Sequence, residues 1–285
     1  MGGQVWKRNS RQSRGSELWY FINIVTATIF MLGATGCERI DRSDLGCSEN
    51  PEHPAELVGW WRFEEGTGAT VSDSSGCGNT ATMKNGGWGP GKDGGGLLMD
   101  GGNDSILTVP LSESLRSAAN AITVMAWTYR TDEYNVAVIA HQYPALFFGF
   151  HGPQFKWAFR THLGRVSRLA KRIGFPRSSR ADCYADPKHR ADLDRWIHLA
   201  ASYDGSRARL FVDGTEICSR PVVGAIRMSD SPLTLSGYLD GNGDIVDEIS
   251  GTLDDVRIYN RALTDEEIRT IYLDSIASDA THPPD

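Results

Sequence analysis

Two Asp-Gly pairs, Asp204-Gly205 and Asp213-Gly214, divide the stretch from Arg195 to Ile217 into three short apolar-rich runs. Asp-Gly between alternating runs marks a hairpin turn, because the turn needs residues that tolerate positive φ. Ile197, Leu199, Ala201 and Tyr203 fall on one face of the first run, and Ala208, Leu210 and Val212 on one face of the second. The stretch therefore predicts an antiparallel meander with one core face. Thirty-one glycines, twelve prolines and eight tryptophans in 285 residues suit many short strands joined by tight turns. A chain of this length holds one large β-sandwich or two small domains.

The N-terminus reads as a targeting segment. Lys7, Arg8, Arg11 and Arg14 precede an apolar run from Leu18 to Ala34, and Ala34-Thr35-Gly36-Cys37 closes it with small residues. Those four residues resemble a bacterial lipobox, which makes residues 1–36 a lipoprotein-type signal peptide and Cys37 the acylated mature N-terminus. The usual pattern has Leu where Ala34 stands. An ordinary signal peptide and an uncleaved anchor are the alternatives, although Asn23, Thr26 and Thr28 make the run poor for a spanning helix of ~20 residues. All three readings export the chain. Residues 37–56 are polar and aperiodic, as a tether should be.

With Cys37 lipidated, Cys47, Cys77, Cys183 and Cys218 form an even set with three possible connectivities in an oxidising compartment. Extending the hairpin register places 218 opposite about 191, within a short loop of Cys183, which favours Cys183–Cys218 and leaves Cys47 with Cys77. No two cysteines have the short spacing of a zinc site.

Strands are predicted over Leu57 to Phe63, Leu97 to Asp100, Ile106 to Val109, Ile122 to Tyr129, Val136 to His141, Leu146 to Phe150, Phe155 to Phe159, Leu233 to Ser236 and Leu253 to Tyr259. A helical turn is drawn over Leu111 to Ala118. Thr264 with Glu267 three residues on is a capping box, and Ile268, Ile271 and Tyr272 give the closing helix an apolar stripe. The tail 276–285 reads as disordered. Between 160 and 194 the strand rhythm stops. Nine Lys/Arg stand against two Asp in residues 160 to 190, while the whole chain carries a formal charge of -7. An acidic body with one basic loop lacks the basic face of a nucleic-acid binder. A solvated loop pinned by Cys183 is the plain reading of this insertion, and contact with acidic glycans or anionic lipid the functional one.

Five stretches carry a family resemblance: Gly59-Trp60-Trp61-Arg62-Phe63-Glu64-Glu65-Gly66 with Asp73-Ser74-Ser75-Gly76; Met99-Asp100-Gly101; Ile122 to Trp127; Trp196 to Gly214; and Gly251 to Leu263. In order and spacing they resemble laminin-G-like, concanavalin A-like jelly-roll domains over 57–275. The resemblance implies an all-β, two-sheet antiparallel sandwich with a short C-terminal helix. It also implies a structural calcium held by Asp73, Asn79 and Asp254, whose hard oxygens suit that ion; turn capping is the competing role for Asp73 and Asn79.

No Gly-x-Ser-x-Gly, His-Glu-x-x-His or glucanase Glu-x-Asp-x-x-Glu pattern occurs. Asp240 to Asp244 reads as a polar turn, since Ile245 and Gly251 stand where a calcium loop needs glycine and glutamate. Strand alternation should send Asp254 and Asp255 to opposite faces, and likewise Asp247 and Glu248, so neither pair can act jointly. His198 occupies a core position. Candidate ligand contacts are the aromatics Trp88, Tyr134, Tyr143, Trp157 and Tyr238, while Trp60, Trp61, Trp127 and Trp196 are assigned to strands and core. The expected function is non-catalytic recognition of a carbohydrate or cell-surface partner. The alternatives are a protein-binding adhesion or scaffold module and a divergent glycan hydrolase or lyase.

Overall fold

The computed structural model describes residues 42–45, 47–48, 53–102, 104–132, 136–142, 145–162, 180–186 and 188–279. Cys37, Tyr134, Tyr143, the signal segment, most of the basic insertion and the last six residues lie outside them. Among the described residues no helix is long and apolar enough to cross a membrane.

In chain order the strands are β1 (Leu57–Trp61), β2 (Thr70–Val71), β3 (Ala81–Lys84), β4 (Gly87–Pro90), β5 (Gly95–Asp100), β6 (Ile106–Val109), β7 (Ile122–Arg130), β8 (Val136–Gln142), β9 (Leu146–His151) and β10 (Gln154–His162). They continue as β11 (Arg180–Tyr184), β12 (Trp196–Tyr203), β13 (Arg207–Val212), β14 (Thr215–Pro221), β15 (Ala225–Ile226), β16 (Leu233–Leu235), β17 (Tyr238–Leu239), β18 (Ile245–Val246) and β19 (Ser250–Tyr259). One sheet runs β14-β13-β12-β7-β19-β5-β4, with β1 also on β19. The other runs β11-β10-β9-β8-β16-β6-β3-β2, with β15 on β10. Antiparallel pairing and two large sheets make a jelly-roll sandwich.

The meander forms as its turns require: Tyr203 faces Ala208, Ala201 faces Leu210 and Leu199 faces Val212. Ile197, Leu199, Ala201, Tyr203, Ala208 and Leu210 enter the main core, where they meet Phe155, Trp157 and Phe159 of β10. Alternation sends Met125, Ala200 and Phe211 to the opposite face of the first sheet, which a solvated sheet could not leave bare. There α1 (Glu113–Arg116) plays no part; α2 (Asp265–Asp279) covers them through Ile268, with Leu57, Tyr259 and Leu263, just before the helix, completing a second, smaller apolar cluster. The capping box that starts α2 is formed, with Glu267 N–H donating to Thr264 Oγ1 at 3.2 Å and Thr264 N–H to Glu267 Oε2 at 2.8 Å. The helix runs on to Asp279, into the segment that composition alone read as tail.

Both disulfides are present, Cys47–Cys77 and Cys183–Cys218. The register argument for the second needs correcting. Cys218 lies on β14 opposite Leu210 of β13, and Cys183 on β11 opposite Trp157 of β10. The bond therefore joins the terminal strands of the two sheets, and 218 never faces 191. β11 is itself a departure from expectation, since the segment after 160 was read without strands. Part of the tether also docks: Arg42 is 5% exposed and its guanidinium donates to the carbonyls of Ser48, Pro54, Ala55, Leu57 and Ser75. All three nitrogens of the guanidinium are thereby engaged.

Candidate functional site

β19 changes partners on one side midway along its length. Ser250 to Leu253 pair with β5, whereas Val256 to Tyr259 pair with β1. Between them the register against β7 slips, from Asp254 opposite Trp127 to Arg257 opposite Met125, and Asp255 takes φ +49. Such a bulge re-aims side chains and interrupts alternation. Asp254 and Asp255 consequently line the same cleft, contrary to the expectation that they face opposite ways.

The turn between β4 and β5 closes over this gap. Asp254 Oδ2 accepts from the N–H groups of Lys92 and Asp93 at 2.8 and 3.1 Å, and Oδ1 from Asp255 N–H at 2.6 Å. Gly91 is required here, because a Cβ would meet Gly95 O at 1.9 Å and Asp254 Oδ2 at 2.7 Å. Gly94 takes φ +76, and a Cβ there would meet the Glu64 carboxylate at 2.7 Å. The three glycines of 94–96 thus serve a tight carboxylate-gripping turn.

The resulting cleft has a volume of about 380 Å³. Trp60 and Trp127 supply its aromatic walls, eight charged side chains ring it, and Ile271 and Ser275 of α2 form one side. Asp255 is held at both oxygens: Trp60 Nε1 donates to Oδ1 at 2.5 Å, Arg257 Nε to Oδ1 at 2.9 Å, and Arg257 Nη2 meets Oδ2 at 2.8 Å. The Arg257 and Arg62 guanidinium groups lie 4.7 and 5.3 Å from the Trp60 ring centroid, and the Lys92 ammonium 4.9 Å from that of Trp127. Burial pushes the Asp254 carboxyl up to about 7, with the charge of Asp255 adding to it and the N–H donors of Asp93, Lys92 and Asp255 opposing. Burial lowers the Lys92 ammonium, against the pull of Asp93 and Asp254.

The expected site residues are scattered relative to this cleft. Trp157 is a core side chain at 0% exposure and cannot touch a ligand, because β10 alternation points it with Phe155 and Phe159 between the sheets. Trp88 packs on the rim of the core and donates to Gly68 O. Tyr238, on the β17–β18 hairpin, stacks on His141 at 4.4 Å. Asp240 is the polar turn expected, its Oδ1 accepting from Asn242 and Asp244 N–H. Trp60, assigned to strand and core, is partly exposed and is the cleft's accessible aromatic, whereas Trp127 borders the cleft at 3% exposure and is the core side chain expected. Trp60 was the legible one: Trp61 is fully buried, so its neighbour on the strand must face outward.

The residues implied as calcium ligands fit the capped-turn role better. Asp73 already accepts four protein hydrogen bonds, from Trp60, Ser75 and Asn79 N–H and from Ser75 Oγ. That fills a carboxylate's ordinary capacity. Asn79 Nδ2 donates to Val58 O and Ser114 Oγ, and Asp254 is engaged by the 91–94 turn. Among the described residues no group of three or more His, Cys, Asp or Glu is placed to hold a metal.

The profile of the concanavalin A-like lectin/glucanases superfamily, in its third laminin-G form, matches residues 100–269, more than half of the chain. No curated protein matches. The fold is similar to the binding domain of Paraclostridial Mosquitocidal Protein 1 (TM-score 0.58, 17% identity, 76% of this chain and 52% of that one). It is similar to domain 4 of AbnA, an extracellular GH43 arabinanase from Geobacillus stearothermophilus solved with arabinotriose (0.54, 17%, 76% and 98%). The binding domain of Botulinum Neurotoxin DC, solved with SialylT, is a third likeness (0.55, 13%, 77% and 51%). The chain thus spans about half of either toxin domain and nearly all of the arabinanase domain.

Proposed function

From the premise that this chain belongs to the concanavalin A-like lectin/glucanase superfamily, we propose that it is a non-catalytic recognition module whose ligand is a glycan at a cell or polymer surface. The cleft at the β19 partner switch carries this reading, because it combines the partly exposed Trp60 indole with a ring of hydrogen-bonding side chains on a rigid sheet. A sugar presents C–H faces to indole and hydroxyls to carboxylates and guanidinium groups, so the lining matches both kinds of surface. The arabinotriose bound by the arabinanase domain supports the ligand class.

The cleft acids support binding over hydrolysis. Asp254 accepts from three N–H groups and Asp255 from Trp60 and Arg257, so donors within the protein already occupy both carboxyls. Two disulfides favour an exported location. Acylation of Cys37 would then tether the module to a bacterial envelope.

Binding of the full chain to immobilised glycans, with reducing-end release from the same glycans as the control for catalysis, tests the proposal. Retention without product release is expected. Steady product release that Asp255→Asn abolishes would make the cleft an active site instead, and retention of a surface protein in place of any glycan would favour the adhesion alternative. Cys37→Ser should release the protein from membranes; unchanged association with an uncleaved N-terminus would mark residues 1–36 as a simple anchor.

A further inference from the structure

Resting on the glycan-binding reading above, we infer that the cleft selects uncharged glycans and excludes those bearing carboxylates. Five acids line it, Glu64, Asp93, Asp254, Asp255 and Asp274, against three bases, Arg62, Lys92 and Arg257. An acidic sugar needs a cation with donors to spare. Arg257 is not in that position, and the other two are outnumbered by the acids around them. Arg257 spends Nε and Nη2 on Asp255, at 2.9 and 2.8 Å, and its plane on Trp60. Arg62 lies 3.9 Å from Glu64, and Lys92 sits over Trp127 within the fields of Asp93 and Asp254. A ligand carboxylate would therefore enter among an excess of acids, with Arg62, already beside Glu64, as its most accessible partner.

An uncharged sugar meets the reverse situation. Its hydroxyls donate, and the cleft is rich in acceptors: Glu64 and Asp274 are exposed at the mouth, and Ser275 stands beside them on α2. Arg62, half exposed and held only at 3.9 Å, is the side chain that swings aside to open the face of Trp60. The acid that fixes the selection is Asp255, because its position is set by the bulge and by two donors, and it keeps Arg257 occupied.

The test is an array carrying arabinotriose, xylotriose, cellotriose and lactose beside sialyllactose and trigalacturonate, probed with the full chain. Binding is expected only in the uncharged set, and it should change by less than about twofold between roughly 50 and 500 mM salt, since no ion pair forms with the ligand. Trp60→Ala should weaken it by about tenfold or more. Because Trp60 also packs beneath α2, Asp274→Ala at the exposed mouth provides a second variant, expected to weaken binding severalfold with the fold intact. Binding of sialyllactose or trigalacturonate that falls steeply with salt and is lost in Arg62→Ala would overturn the selectivity while leaving the recognition reading standing. Uncharged glycan bound equally by wild type and both variants would move the site elsewhere. A folded chain that binds nothing on the array would overturn both readings.

Discussion

The His198 ring forms a triangle with Trp127 and Tyr272, whose centroids lie 5.2 and 5.8 Å away, and is 2% exposed. Its Nδ1 finds no partner among the described residues, and its burial agrees with the core position read from the sequence. Burial lowers its pKa to about 3, with the Arg257 charge contributing. A histidine whose folded pKa is depressed takes up protons on unfolding, so stability should fall as pH drops from about 6.5 toward about 3. Asp254 works the other way: its raised pKa makes the folded state favour the proton, so its contribution falls as pH rises from 3.8 to about 7. Melting temperatures of wild type and His198→Phe across pH 3 to 7 separate the two; the variant should lose the part of the acid-side decline that sets in below about 6.5 and keep the opposite slope. A wild-type slope unchanged in the variant would show that His198 titrates normally. Asp73→Ala should cost about 1–3 kcal/mol by stranding its donors, measured by urea unfolding, and a chelator should leave the wild-type midpoint where it was. A chelator-dependent midpoint would return calcium to this turn.

α2 was legible because its signals are local: a Thr-x-x-Glu start and an apolar stripe within one turn of each other. Thr264→Ala should destabilise by about 1 kcal/mol and Ile268→Ala, which empties a fully buried site under the helix, by about 2–5 kcal/mol; chemical denaturation reads both. Arg261 pairs with Glu267 and holds its carboxyl down near 2. That support is present above pH 4.5 and lost as pH falls toward about 2. The β19 bulge was not legible. It arises where β5 and β1 meet end to end on one strand, a coincidence of elements far apart in sequence, and alternation read along β19 alone places Asp255 on the wrong side. The same locality limit explains Trp157, whose pattern looks like any surface strand until β10 is known to lie within a sheet. The meander around Asp204-Gly205 needed no such knowledge.

At the scale of the whole molecule, the two sheets meet through side chains across most of their area but through covalent bonds at particular margins. Cys183–Cys218 ties β11 to β14, the end strands of both sheets, and encloses a separation of 35 residues. Cys183→Ser with Cys218→Ser should lower stability by about 2–5 kcal/mol by equilibrium unfolding, with β14 exchanging its amide hydrogens faster than β12. Equal exchange in both strands would mean that the sheet margin is held by packing alone. The presence of two bonds could be anticipated from cysteine number, whereas the joint between sheets could not, because number leaves three connectivities open and the hairpin register concerns only one sheet.

Cys47–Cys77 has a mechanical consequence for a chain held by its N-terminal end. Tension arriving at Cys47 crosses the sulfur bridge to Cys77 and bypasses everything between, including all of β1. The 30-residue interval could otherwise pay out up to about 100 Å of slack. β1 therefore carries no load and is not peeled from β19 at Trp60↔Arg257. Drag on a captured polymer would leave the Trp60 side of the cleft aligned with Asp255 until strands beyond Cys77 gave way.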